Sequence, residues 1–545
     1  MTTRISIVLL AAALLPCLQL QAQNINQSVE VTNDYVSRFS DFQKQGTSLQ
    51  VPDSLYVFDY DFDYTVFETP YKGSYDVSPY RIQVTPMPRP YDGSRMLLRA
   101  GAGYTLHPVL DFAWQPVVEK DRSVSVFAGI NGYGGNYHRN SAALPLTSGY
   151  DISTQLGVAL LNIRPRVRLS GRLAYEGMFQ GSGEVDGDQN FGLHSILAEG
   201  RVVSRDRAEN HLSFDLGAKY RHSGDASFLK GASGREVEDN VRVSLSAGPI
   251  LQQKYSILLD ADFQLNVMNM SLGTILASKQ FATLASLRPH VDFLLGPVHL
   301  DAGVRMDYSG SAVGDQFTLV PDVVARLSLL GAKMELFAAI TGGQHINTLY
   351  EFRQLNHFAC MPMAAGSVSQ EGLHLRAGLE GHLDSRLQYA LEVGALSARN
   401  TPLASFRDVC TTDYSAFYGR AFASWKTERT ELDGTLSYTH IRRYVAVEAW
   451  TPAPLTADLR FRYNWRRRIY AGAFLEAASL RKWLGTADMA DIAGYANLGL
   501  TGEWRFDSRW SVWAEAGNLL GMAVERMPGY IEKGPYLTVG LGFKL

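Results

Sequence analysis

Long apolar runs are missing from this chain. Beyond the first two dozen residues no stretch of 18 apolar residues occurs, so no helix is expected to cross a bilayer. Charge is scarce too: Asp, Glu, Lys and Arg make up 19% of the 545 residues, and the net charge is -3. So neutral a chain offers no field for nucleic acid. Cysteine numbers three, with no Cys-x-x-Cys pair, and neither Gly-x-Ser-x-Gly nor His-Glu-x-x-His is present. Nothing in these motifs points to an enzyme, a cofactor or a metal site, although 12 histidines make chance triad-like combinations unavoidable.

Glycine and aromatic residues are plentiful instead: 49 Gly, and 11% Phe, Trp and Tyr. Many glycines and aromatics with little charge and no long apolar run fit an all-strand chain. The first residues, "MTTRISIVLLAAALLPCLQLQAQ", have a basic start at Arg4, an apolar stretch from Ile5 to Leu15 and a small-residue exit near Ala22. They read as a secretory signal peptide over 1–23. Lipidation at Cys17 is disfavoured by Pro16 directly before it.

Alternation then separates a membrane barrel from a large secreted β-protein. In "YSILLDADFQLNV", Tyr255, Ile257, Leu259, Ala261, Phe263, Leu265 and Val267 share one face, against Asp260, Asp262, Gln264 and Asn266. "HLSFDLGAKY" (211–220) and "VHLDAGVRMDY" (298–308) repeat the pattern. Such runs last roughly 9–13 residues, enough to cross a bilayer at a tilt. In lipid only a closed barrel satisfies every backbone group. The final stretch "GPYLTVGLGFKL" also alternates to the last residue, and closure would pair it with the first strand. The expected fold is therefore all-β: a transmembrane antiparallel β-barrel of about 20–22 strands between Met96 and Leu545. An arginine at the lipid-facing Ala261 is expected to cost about 2–4 kcal/mol, and one at the inward Asp262 far less.

Connections give an independent test. Tight turns are expected at 163–167, 295–299, 329–333, 383–387, 425–429, 465–469 and 506–510. Longer loops fall at 133–151, 180–190, 221–238, 341–372, 398–412, 441–455, 480–494 and 519–535. Short turns at one rim and long loops at the other mark an outer-membrane barrel. The early loop 105–109 is too short for this pattern, and Pro289 falls inside an expected strand. Tyr255, Trp425, Trp465 and Trp510 stand at short-turn ends, with Tyr220 and Tyr308 at long-loop ends, as interfacial girdles would.

A resemblance joins these readings. "SVWAEAGNLLGMAVERMPGYIEKGPYLTVGLGFKL" (511–545) resembles the last two strands and final loop of TonB-dependent receptor barrels, through Asn518-Leu519-Leu520, Pro528-Gly529-Tyr530 and Gly540-Leu541. "SVEVTNDYV" (28–36) and "PDVVARLSLLGAKMELFAAITGG" (321–343) look like the plug-poor receptor-like barrels common in the Bacteroidetes outer membrane. The resemblance implies 22 strands and an outer-membrane address. Those receptors carry a much longer plug than residues 24–95 provide here. Within 24–95, "LYVFDYDFDYTVF" (55–67) alternates and "VTPMPRPY" (84–91) reads as an extended spacer.

Three segments are thus expected: the signal over 1–23, a periplasmic or lumenal segment over 24–95, and the barrel over 96–545, seated in the lipid of the outer membrane. The expected work is solute passage or binding. The rival is a scaffold that recruits a periplasmic or outer-membrane partner through 24–95. Asp260, Asp262, His299, Asp301, Arg305, His374, Arg376 and Glu380 are candidates to line the lumen, where they would pair across strands or meet solute. Cys360 and Cys410 fall in two long loops. They read either as a disulfide worth very roughly 4 kcal/mol or as two separate thiols.

Overall fold

Side chains in these strands point alternately to opposite faces, and exposure follows that alternation. Leu259 and Phe263 are 45% and 48% exposed, whereas Asp262, Gln264 and Asn266 between and beyond them are 5%, 5% and 1% exposed. The apolar face is turned outward and the polar face inward, the reverse of a soluble protein and the arrangement that lipid requires.

In the computed structural model the described residues are 94–545, less 105, 120, 138–146, 183–188, 206–211, 230–231, 252–254, 273–275, 312–313, 330–332, 360–363, 384–385, 407, 487–488 and 533. The expected signal and most of segment 24–95 therefore lie outside them. Twenty-two antiparallel strands form one sheet that closes on itself. Closure joins Met96–Tyr104 to Tyr536–Lys544, with Ala100 opposite Leu541 and Leu97 opposite Lys544. The Leu545 carbonyl accepts from Met96 N at 2.8 Å, and Leu545 N donates to Met96 O at 2.9 Å. The last residue is thus inside the ladder. No described helix is long and apolar enough to cross a membrane.

The short turns fall where the alternation stops. Strands end and restart at Ile163 and Val167, Leu295 and Val298, Lys426 and Thr430, Trp465 and Ile469, and Arg505 and Trp510. Gly296 takes φ +59° to make the second of these turns, a conformation glycine adopts without strain. The early connection is short, as expected, since the second strand begins at Val109. Pro289 stays inside the strand Leu276–Leu295. It has no N–H to give, and the ladder to the strand Val298–Ser311 skips Arg288 and Pro289 without changing register. Tyr255, Trp425, Trp465, Trp510, Tyr220 and Tyr308 are all 36% exposed or more.

Two expectations change. Strands are longer than expected, up to 20 residues in Ala232–Leu251 and Leu276–Leu295, where a tilted bilayer crossing takes about 9–11. The surplus rises beyond the long-loop rim. Stretches 221–238 and 398–412, expected as loops, are for the most part continued ladder: Leu212–Leu229 pairs with Ala232–Leu251, and Leu387–Ser405 with Asp408–Lys426. Above the belt no lipid selects apolar residues, so alternation fades while backbone pairing continues. On the outer face above Tyr220 come His222 and Asp239, whose Nδ1 and Oδ1 are 2.8 Å apart.

Candidate functional site

The connection after the thirteenth strand, Met334–Ile346, does not stand above the rim. It folds inward. Its stem is tied by Asn347, whose Nδ2 donates to Ser367 Oγ and Ser369 Oγ at 2.9 and 2.8 Å. A seven-residue helix, Leu349–Leu355, follows, started by a capping box: Thr348 Oγ1 accepts from Glu351 N and the Glu351 carboxylate accepts from Thr348 N. The pattern Thr-x-x-Glu ahead of apolar residues is a readable helix start, and it is the signal in 341–372 that a loop reading passes over.

Leu349, Phe352 and Ala359 are completely buried, packed with Met178, Leu193, Met268, Met270 and Val409 from the inner wall. Polar ties surround this core. Both Glu238 carboxylate oxygens accept from Leu349 N, at 2.9 and 3.0 Å. His357 Nδ1 lies 2.7 Å from Asp151 Oδ2, and Asn356 Nδ2 donates to Ser405 O at 2.8 Å. Arg353 pairs with Asp225 at 3.1 Å. Asp151, Met178, Leu193, Asp225, Glu238 and Met268 belong to six consecutive strands, the fourth to the ninth. In a ring of 22 these lie four to nine places from the thirteenth, so residues 347–359 reach inward from their own strand to a broad arc of the wall. Burial alone would raise the Glu351 carboxyl. The neighbouring His345 and hydrogen bonds from Thr348 outweigh it and hold the group down to about 2.

A second inward element comes from the last long loop. Val524–Met527 and Tyr530–Glu532 form a small hairpin turned at Pro528-Gly529, with Gly529 at φ +86°. Arg526 pairs with Glu476 at 2.7 Å and also with Glu532. Tyr530 is 3% exposed and packs with Phe358, Phe191 and Tyr133. The motif that carried the resemblance therefore turns inward and packs against the loop.

The candidate lumen residues are not one site but a series of pairs on the inner wall. Arg288 gathers Asp260, Asp301 and Asp322 at 3.1, 2.8 and 3.1 Å. His290 bridges Asp301 and Asp260 at 2.9 and 3.2 Å. Arg305 Nε donates to both carboxylate oxygens of Asp307, and Arg242 Nε to both of Asp262. A second guanidinium at Asp262 would face Arg242, so that substitution is not the inexpensive one expected. His374 Nε2 lies 2.8 Å from Tyr418 Oη, and Glu380 pairs with Arg326 at 3.2 Å. His299 pairs with Asp292 at 2.6 Å near a short turn, and Arg376 is half-buried. Among the described residues no group of three or more His, Cys, Asp and Glu is arranged to hold a metal ion. Cys410 is a half-buried free thiol, and Cys360 lies outside the described residues. Arg288, Asp322, Arg353 and Glu236 do not stand out in the sequence, because a lone charge on a polar face does not show which neighbour it will meet.

Comparison with protein-family models and with curated proteins finds no match. Solved structures do share the fold. The copper transporter OprC has a TM-score of 0.60 at 13% identity, over 83% of this chain and 81% of that one. The FrpB iron transporter from Neisseria meningitidis (F5-1 variant) has a TM-score of 0.63 at 9% identity, over 84% and 83%. The siderophore receptor PiuA from Acinetobacter baumannii gives 0.58 at 8%, over 84% and 82%. At these identities the likeness is one of fold. With the closed 22-stranded sheet and its apolar exterior, it defines the fold: a closed antiparallel β-barrel of the outer-membrane type, receptor-like in its architecture.

Proposed function

We propose that the barrel is a gated passage or receptor for a solute at the outer membrane, and that loop 347–367 is its closing element. One observation carries this reading: a capped helix folded into the mouth and packed on the inner faces of strands four or more places away round the ring. A barrel that only scaffolds has no use for a helix in its mouth. The similar solved structures include two transporters and a siderophore receptor, which supports the same reading.

Planar-bilayer recording tests it. Four proteins are compared: the full chain, one lacking 24–95, one with 349–365 replaced by a short Gly-Ser linker, and one with both changes. The expected result is a small conductance with the loop present and a large, steady one when loop and N-terminal segment are both gone. If the doubly altered barrel stays silent, passage through this barrel is refuted.

A further inference from the structure

Arg353 is completely buried in the seat of the loop. Its Nη1 donates to the carbonyls of His357 and Ala359, and Nη2 donates to Gln180 Oε1 at 2.9 Å. Nε stands 3.1 Å from Asp225 Oδ2, and the guanidinium carbon lies 5.7 Å from the centroid of the Phe191 ring. One edge of the guanidinium thus shapes the loop and the other reads the wall.

The wall at that point is acidic. Asp225 is directly opposite Glu236 in the ladder between Leu212–Leu229 and Ala232–Leu251, so two carboxyl groups meet across the strands, and burial beside Asp225 raises the Glu236 carboxyl. Glu238 follows on the same inward face, but it is engaged by Leu349 N and Asn266 Nδ2. Asp408 lies within electrostatic reach of Glu236. Glu236 is 1% exposed, and neither of its carboxylate oxygens has a hydrogen-bond partner among the described residues. A buried carboxylate without a donor is costly and calls for a partner.

We propose that this seat is a binding site for a cationic solute bearing a guanidinium or primary amine, which Arg353 occupies as a tethered stand-in while the loop is closed. The proposal rests on reading the loop as the closing element. An entering cation takes the place of Arg353 beside Asp225 and supplies the donors that Glu236 lacks. Gln180 offers a neutral acceptor, and Phe191 an aromatic face for the cation. Such a solute binds only where Arg353 has left, so its binding and the opening of the loop are one equilibrium.

Agmatine, with a guanidinium at one end and an amine at the other, is the probe; N-butylurea and glutamate are the neutral and anionic controls. Calorimetry is run on the detergent-solubilised full chain, on Arg353→Ala, and on Arg353→Ala with Glu236→Gln. Heat-modifiable migration checks that each barrel is folded. Arg353→Ala should bind agmatine at least about tenfold more tightly than the parent, as when the competent state is a tenth populated or less. Glu236→Gln should cancel that gain, and the controls should not bind. Equal affinity of parent and Arg353→Ala, or a gain that survives Glu236→Gln, overturns the site. A second arm uses the parent alone: agmatine should speed chymotryptic cleavage in 350–358, and no change there also overturns it. Neither readout needs conductance, so a silent loop-deleted barrel would refute passage without deciding this site.

Discussion

Phe358 lies face to face with Tyr530, ring centroids 3.6 Å apart and planes 13° from parallel. Phe191 meets Phe358 edge-on at 6.2 Å, and Phe406 lies on Tyr530 at 6.3 Å. The stack joins the loop after the thirteenth strand to the hairpin before the last, so two distant parts of the rim meet inside the barrel mouth. A stacked pair contributes about 0.5–1.5 kcal/mol beyond its buried area, and the loss of buried Phe surface adds to that. Phe358→Ala should speed amide exchange in the helix Leu349–Leu355 by about tenfold or more and leave the barrel transition unchanged. Unchanged exchange would mean that Glu238 and Arg353 hold the loop without help from the stack.

The seam of the barrel depends on another close approach. A Cβ on Gly540 would stand 2.2 Å from the Ala100 carbonyl oxygen and 2.4 Å from the Trp513 ring, and one on Gly101 2.5 Å from that ring. Trp513 Nε1 donates to Leu541 O at 3.3 Å, and Arg99 lies 3.9 Å above the ring. The indole is flat on the first and last strands where they meet. Gly540→Val should push the indole and the Ala100 carbonyl away at a cost on the order of 1–3 kcal/mol, read as a lower temperature for heat-modifiable migration. Gly200→Ala, with open space at its Cβ, should change nothing. Equal behaviour of the two would show that close packing at Gly540 does not secure the seam.

The two faces of the wall should separate in three steps. Ala261→Arg, between the outward Leu259 and Phe263, should cost about 2–4 kcal/mol at the bilayer midplane. Arg460, inward and with a side chain 72% exposed, faces open lumen, and Arg460→Ala should fall within about 0.5 kcal/mol of neutral. Asp262→Arg should cost as much as Ala261→Arg or more, because removing one partner of a buried pair costs about 3–5 kcal/mol. Denaturant-induced unfolding from vesicles measures all three. A neutral Asp262→Arg would show that Arg242 can turn away into water.

These contrasts also show what the sequence makes legible. The belt is legible because lipid demands period-two alternation at every strand, so Leu259 and Asp262 declare their faces by position alone. Short turns are legible because alternation breaks at Gly296-Pro297 or Asp507-Ser508. The continued ladder above the rim is not, since at His222 and Asp239 water accepts any side chain. Nor is the inward fold of 347–367, whose apolar residues read as an ordinary loop until the wall residues Met178, Leu193 and Met268 are brought from far along the chain. The pairs around Arg288 are hidden for the same reason: the ladder, not sequence distance, sets Asp260, Asp301 and Asp322 around it.

Acid should loosen the mouth in a fixed order. Burial, with Arg526 nearby, pushes the His107 imidazole down to about 4, stacked on Tyr536 at 4.0 Å. Unfolded histidine binds its proton near 6.5, so the loosened state takes up protons first. The stability from this packing is complete above about pH 6.5 and falls as pH drops through about 4. Glu351, held down to about 2, stays charged over that window, and its contribution to the helix cap is lost only below about 4.5. The protection factors of the amides at 106–107, taken against the intrinsic exchange rate at each pH, should therefore fall between pH 6.5 and 4.5 while those of the helix Leu349–Leu355 hold. Simultaneous loss would mean that one group governs both.

Cys410 and Val409 are neighbours on one strand, so their side chains leave it on opposite faces. Val409 packs into the cluster beneath loop 347–367. Cys410 packs instead against Leu403, Ala449 and Leu484, with Sγ 3.7 Å from Glu448 O. A bridge to Cys360, whose sequence position is in that loop, needs α-carbons within about 7 Å and β-carbons turned toward each other. The face on which Cys410 stands is turned from the loop. Non-reducing peptide mapping of protein from intact cells should thus recover Cys410 as a separate thiol, alkylated slowly in the folded chain and rapidly after unfolding. A linked pair of peptides carrying Cys360 and Cys410 would overturn this. It would also make the loop a covalently fixed plug, and reductant would then have to raise the conductance of the full chain before any solute could.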